Sequence, residues 1–155
     1  MITHLNKNNK PQIVDISKKK ETRRIAKAEG AVIFSKSSFN KIYKLKTKKG
    51  EITSVATIAG IMGAKKTSEL IPLCHSIDIE NINIEIKTKP KKLMIQVISI
   101  VKSKGKTGVE MEALTAVSLA CLTIYDMCKS IDKNIIIKNI KLLSKKGGKS
   151  DFYSK

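Results

Sequence analysis

The stretch from Thr107 to about Ile131 constrains the fold more than any other part of the chain. Thr107-x-x-Glu110 has the spacing of a capping box, which satisfies free N–H groups at a helix start. Behind it, Ala113 to Cys121 is apolar except for Thr115 and Ser118. A helix of this composition must be covered along much of its surface. No apolar run reaches the roughly 18 residues of a membrane span, so the cover has to come from the rest of the chain.

Two alternating segments, Ile77 to Lys87 and Leu93 to Val101, supply strands joined by a turn at Thr88-Lys89-Pro90-Lys91. Apolar parity switches between Ile79 and Ile82, which predicts a bulge near Asn81. Ile135 to Leu143 reads as a last strand and Ala31 to Ser35 as a short first one. Between them, Ile52, Val55, Ala56, Ile58, Ala59 and Met62 fall at helical spacing, in a helix that stops before Pro72. Gly60 and Gly63 weaken that helix but allow close approach of another backbone or a ligand. The order strand, helix, strand, strand, helix, strand points to an α+β, ferredoxin-like fold: an antiparallel sheet with helices packed on one face. Residues 1–155 read as one domain, with a mobile basic arm over residues 1–20 and a Gly/Lys-rich tail from Ser144.

The 155 residues, 41% of them apolar, suffice for one core. The opening residues carry no apolar segment of the kind a secretory signal needs. Cys121 and Cys128 lie seven apart on the long helix, roughly 10 Å along its axis, too far for a disulfide. No CxxC pair suggests zinc. Reduced thiols and a cytoplasmic location are the expectation. A net charge of +18 points to anionic partners: nucleic acid, acidic membrane or a phosphorylated small molecule. Lysine makes up nearly all of the excess, as AT-rich coding would produce, so charge alone does not choose among them.

Three places could carry chemistry. Gly105-Lys106-Thr107 and Gly148-Lys149-Ser150 end like phosphate loops, but Ile100 and Leu143 stand where the upstream glycine belongs. Gly105 to Gly108 still precedes a helix N-terminus, where an anion is favoured; on these residues alone a flexible turn and a helix cap is the stronger reading. Leu73-Cys74-His75 puts a histidine in a loop entering a strand, suited to a base edge, a proton or a structural role. Asp126 and Lys129 are i,i+3 neighbours and share a helix face. Cys121, Leu122, Ile124 and Met127 around them predict a largely buried segment, in which both pKa values move towards neutrality. Glu110 and Glu112 face nearly opposite ways, one free for a ligand and one for capping or packing.

Three segments, in this order, resemble the cyclic pyranopterin monophosphate synthase family of molybdenum cofactor (molybdopterin) biosynthesis. They are Ala56-Thr57-Ile58-Ala59-Gly60-Ile61 running on through Ala64-Lys65-Lys66-Thr67 to Leu70-Ile71-Pro72-Leu73-Cys74-His75; Gly105-Lys106-Thr107-Gly108-Val109-Glu110-Met111-Glu112 running on through Tyr125-Asp126-Met127-Cys128-Lys129; and Leu142 to Ser150. The resemblance implies a lyase that converts 3′,8-cyclo-7,8-dihydroguanosine 5′-triphosphate to a cyclic pterin phosphate with loss of diphosphate. It implies no redox cofactor and no dedicated metal site, Mg²⁺ being at most a companion of the triphosphate. It also implies a homohexamer, a trimer of dimers with sites at subunit boundaries, and neither nucleic acid nor membrane as partner. Carried over by position, Asp126, Lys129 and Lys49 match the catalytic group. Leu73, Cys74, His75, Met111 and Glu112, with Glu110 beside them, match substrate contacts. Lys19, Arg24 and Lys145 match the residues that hold the triphosphate.

One departure lies in the tail, where Ser150 runs directly into Asp151 and the family commonly places a glycine between them. Arg23 and Arg24 are the only arginines, and a guanidinium at Arg24 suits a bidentate phosphate contact. Two other readings compete: a basic nucleic-acid-binding module, which needs stacking aromatics that a 4% aromatic content scarcely supplies, and an inactive homologue serving as a scaffold.

Overall fold

The computed structural model describes residues 4–42, 46–47 and 50–154. The elements are β1 (Thr22–Ile33), α1 (Lys36–Ile42), β2 (Lys46–Thr47), β3 (Gly50–Glu51), α2 (Ile52–Lys65), α3 (Thr67–Leu70), β4 (Ile79–Lys89), β5 (Met94–Gly105), α4 (Glu110–Cys128), β6 (Ile136–Lys146) and β7 (Phe152–Tyr153). Among the described residues five strands form one antiparallel sheet in the order β4-β5-β1-β6-β7, and β2 pairs with β3 in a second, two-stranded sheet. Because β1 is antiparallel to both β5 and β6, and β4 to β5, the connections β1-α2-β4 and β5-α4-β6 each join parallel strands across one intervening strand. That is a split β-α-β arrangement used twice, and the α+β class expected from sequence is borne out.

Small side chains on the inner face of the sheet decide how close α4 can lie. Ala26, Ala28, Gly30 and Val32 of β1 point towards the helices and are buried. A Cβ placed on Gly30 would sit 2.6 Å from Val117 Cγ1 and 3.1 Å from Cys121 Sγ. On its other flank α4 meets α2: a Cβ on Gly60 would lie 2.9 Å from the Ala116 carbonyl oxygen and 2.3 Å from Ile84 Cδ1, and one on Gly63 3.0 Å from Leu119 Cγ. The core thus centres on Ala113, Ala116, Val117, Ala120, Cys121 and Ile124 of α4, packed over Ile95, Val97 and Val101 of β5. In length and mean hydropathy α4 reaches those of a membrane-crossing helix, but its apolar side is filled by this packing.

Several boundaries differ from the sequence reading, each for a local reason. The first strand begins at Thr22, not Ala31, because its first half alternates charged residues with alanine and glycine and shows no apolar signal. Strand β6 continues to Lys146 because β1 pairs with it as far as Ile25–Lys146. Helix α4 begins at Glu110 with Val109 before it and no side-chain cap, so the expected capping box does not form; Glu110 is engaged by Lys145 instead. The bulge near Asn81 is present as a register shift between Ile79 and Asn81.

Gly60→Val forces α2 away from the Ala116 carbonyl, and overpacking of this kind costs about 1–3 kcal/mol. A lower urea midpoint at unchanged slope is the expected result; an unchanged midpoint would mean that the helices do not meet here.

Candidate functional site: two pockets at the start of helix α4

The antiparallel registers Thr22–Gly105 and Ile25–Lys146 gather the beginning of β1 and the ends of β5 and β6 at one edge of the sheet. A short link from Gly105 delivers the N-terminus of α4 to the same place, and its free N–H groups and dipole favour negative charge there.

The first pocket, about 480 Å³, is lined among the described residues by Lys18, Lys19, Lys20, Arg24, Lys106, Lys145, Lys146 and Lys149, eight cations against the single carboxylate of Glu110. Arg24 is braced from behind, its Nε 3.3 Å from the Gly105 carbonyl and an Nη 3.4 Å from that of Lys106. Lys145 Nζ lies 3.0 Å from Glu110 Oε1. The loop after β6 closes one wall: Gly147 has φ +86°, a conformation suited to glycine, and Thr22 Oγ1 donates to its carbonyl at 2.6 Å. Asp151 Oδ1 accepts from Gly147 N at 3.2 Å, so the tail closes on itself with Ser150 directly before Asp151. Sequence reasoning singled out Lys19, Arg24 and Lys145 here but did not assign Lys18, Lys20, Lys146 or Lys149. Lys106 was signalled only by the Gly-Lys-Thr-Gly string before the helix.

The second pocket, about 280 Å³, is lined by His4, Leu73, Cys74, His75, Ile77, Thr107, Gly108, Glu110, Met111 and Glu112. It shares Thr107 and Glu110 with the first, so the two adjoin. All six residues expected from the loop 73–75 and the helix start 110–112 meet here. Glu112 is 3% exposed, and its Oε2 has no hydrogen-bond partner among the described residues. Burial raises its pKa to about 7, with its own backbone N–H pulling the other way and the charge of Glu110 adding to the rise. Burial and the Glu112 charge also raise the Cys74 thiol, which therefore stays protonated. His75 Nε2 sits 2.7 Å from the Val14 carbonyl.

Asp126 and Lys129 do pair, Lys129 Nζ lying 2.7 Å from Asp126 Oδ1. Both side chains are more than half exposed, which corrects the expected burial. Cys121, Ile124 and Cys128 face the core, whereas Leu122, Asp126 and Lys129, at i, i+4 and i+7, face outward. The hydrogen bond and charge of Asp126 raise the Lys129 pKa, away from neutrality and not towards it. Asp126 is fourteen residues along α4 from Glu112, roughly 21 Å along the axis, so the pair does not reach either pocket of its own chain. Lys49 lies outside the described residues.

Glu112 gives this site a pH signature. Its folded value, about 7, stands above the ordinary 4.5, so across that window the folded chain holds more protons than the unfolded one. Stability therefore falls as pH rises from about 4.5 to 7 and levels off above. Glu112→Gln should abolish that slope and be the more stable form above pH 7, by at most about 3 kcal/mol. Parallel stability–pH profiles in urea for the two proteins would contradict the assignment.

A family model described as the MoaC family matches residues 13–148. The cyclic pyranopterin monophosphate synthase of Helicobacter hepaticus is 52% identical over 96% of this chain and 94% of its own length. Those of Peptoclostridium acidaminophilum and Helicobacter pylori strain G27 are 46% and 48% identical, each over 99% of the chain and 96% and 98% of their own lengths. With a family match over most of its residues and relatives of this identity along nearly its whole length, the chain belongs to the MoaC family.

Proposed function

We propose that this protein is a cyclic pyranopterin monophosphate synthase acting in molybdenum cofactor biosynthesis, with the triphosphate of its substrate in the first pocket and the ring system in the second. The observation that carries this reading is the adjoining of a densely cationic pocket and a half-apolar one at Glu110 and Thr107. A nucleoside triphosphate has the same two parts, joined by a sugar. Closing the cyclic phosphate breaks the bond between the α-phosphorus and the α–β bridging oxygen and releases diphosphate. Lys19, Arg24 and Lys145 neutralise the charge that grows on that leaving group. In the second pocket Leu73, Met111 and the neutral Cys74 pack the ring system. His75 and Glu112 address its nitrogens, and a carboxyl that titrates near neutrality suits proton exchange with them. Glu110 is the one carboxylate in the first pocket among the described residues and is held by Lys145, so a Mg²⁺ ion would be held by the phosphate oxygens more than by protein ligands.

Asp126, Lys129 and Lys49 complete the chemistry in this reading, the first two from a second copy of the chain in a homohexamer. Two observations support the shared site. The Asp126–Lys129 pair lies roughly 21 Å along α4 from Glu112. The two helices that pack together here, α2 and α4, also carry exposed apolar residues, Leu122 on α4 and Val55, Ile58 and Met62 on α2, of the kind found at contacts between proteins. The three free thiols suit a reducing compartment, and we place the enzyme in the cytoplasm.

Incubation of the purified protein with the cyclised nucleotide should yield diphosphate and a pterin detectable by fluorescence after oxidation; no product would overturn the assignment. Arg24→Lys should turn over more slowly at limiting substrate, because lysine cannot hold phosphate bidentately; unchanged kcat/KM would remove that role. Asp126→Asn and Glu112→Gln should each be inactive alone. Co-expressed, they should regain activity in about a quarter of the sites if each site draws on two copies. Mixed oligomers that stay dead would place both residues in one chain's site.

A further inference from the structure

The loop carrying His75 and the first pocket's Lys106 share an unexpected neighbour, the N-terminal arm. The Val14 carbonyl lies 2.7 Å from His75 Nε2, and the Ser17 carbonyl accepts from Lys106 Nζ at 3.1 Å. Between these two points the arm turns tightly: Ser17 N donates to Asp15 Oδ1 at 2.8 Å and Lys19 N to the Ile16 carbonyl at 3.0 Å. A backbone carbonyl has lone pairs and no proton to give. The short contact to Val14 therefore requires the hydrogen to sit on Nε2. A neutral imidazole carries only one N–H, so its Nδ1 is left as a lone pair.

We propose that the main chain of the arm at Val14 is a positioning element for His75. It fixes the Nε2–H tautomer, so that His75 meets a ligand of the second pocket only through Nδ1, as a hydrogen-bond acceptor. The ligand chemistry this selects is a ring N–H or an exocyclic amine, and a carbonyl oxygen is refused at that point. The unpaired Oε2 of Glu112 in the same pocket accepts from the same kind of group while it is ionised. One wall thus presents two acceptors to the hydrogen-bearing edge of a nitrogen heterocycle. The tautomer stands on the hydrogen bond alone; its use in turnover rests on the synthase reading.

The chain has two histidines, which makes the tautomer directly observable. In the full-length protein labelled with [¹⁵N]histidine, His4→Gln identifies the His75 signals. In its neutral form His75 should show a protonated Nε2 and an unprotonated Nδ1; the reverse pattern, or the averaged shifts of a freely exchanging imidazole, would sink the proposal. Two near-isosteres separate positioning from mere folding. The amide of His75→Asn replaces Nδ1 and loses the arm, whereas that of His75→Gln replaces Nε2, keeps a donor for Val14 and empties the pocket face. Trypsin should therefore cut at Lys18–Lys20 faster in His75→Asn than in His75→Gln. Loss of kcat should run the other way, on the order of 10²-fold for His75→Gln and less for His75→Asn. The opposite order in either assay overturns the assignment. Absence of turnover in the wild type would remove the synthase reading and leave the labelling and proteolysis results to decide the tautomer.

Discussion

Helix α4 lies in a trough of small residues, and the placement of both pockets follows from that seating. Ala26, Ala28 and Gly30 form its floor, and Gly60 and Gly63 of α2 form one side. At Gly30 there is no room for a Cβ against Val117, so the helix axis is pinned close above the central strand. Once it is pinned, the short link from Gly105 fixes where the helix can begin. Its first turn must then rise over the ends of β1, β5 and β6, where Arg24 and Lys145 project. A helix held further off by larger side chains would leave Glu110 out of reach of Lys145, and the two pockets would no longer meet.

The two carboxylates of that first turn show how one element can serve two environments. Glu110 faces the lysines and pairs with Lys145 at 3.0 Å. Glu112, two residues on, is turned inward and buried with an unpartnered oxygen. The net charge of +18 does not rescue it, because the charge that acts on Glu112 is the like charge of Glu110, which raises its pKa further. Divergent environments on neighbouring carboxyls are how proteins assign one group to charge and the other to proton exchange.

What the sequence made legible was periodicity, and what it hid was direction. Helix α4 and the β4–β5 hairpin were readable because apolar residues recur at the spacing of each element, and the switch of parity near Asn81 revealed the bulge. The first half of β1 was not, since a strand whose inner face is alanine and glycine under a close helix carries no apolar alternation. Asp126 and Lys129 were read as buried from apolar composition around them; resolved by helix face, Cys121, Ile124 and Cys128 go in while Leu122, Asp126 and Lys129 go out. The resemblance named residues on the loop 73–75, at the start of α4 and on β6 whose meeting no spacing could show. Only the sheet register brings Arg24, Gly105 and Lys145 to one edge. The hold of the arm on His75 was invisible, since it is made by a backbone carbonyl, which every residue type carries.

The exposed Asp126–Lys129 pair gives assembly a chemical meaning under the proposed function. In water such an exposed i,i+3 pair contributes little to stability, and its hydrogen bond raises Lys129, which keeps the ammonium a poor proton exchanger near pH 7. Covering the exposed Leu122, Val55, Ile58 and Met62 with another copy would strip water from both charges, and desolvation lowers a lysine while it raises an aspartate. The same contact that buries those apolar residues would thus move both groups towards the range where protons pass between them. It would do so beside a neighbouring chain's pocket, which already holds its own neutral-range carboxyl in Glu112. Under the proposed function a chain by itself would carry two halves of different sites, and folding and assembly would divide the work: the small-residue trough would build the binding half, and the exposed apolar residues would tune the reactive one.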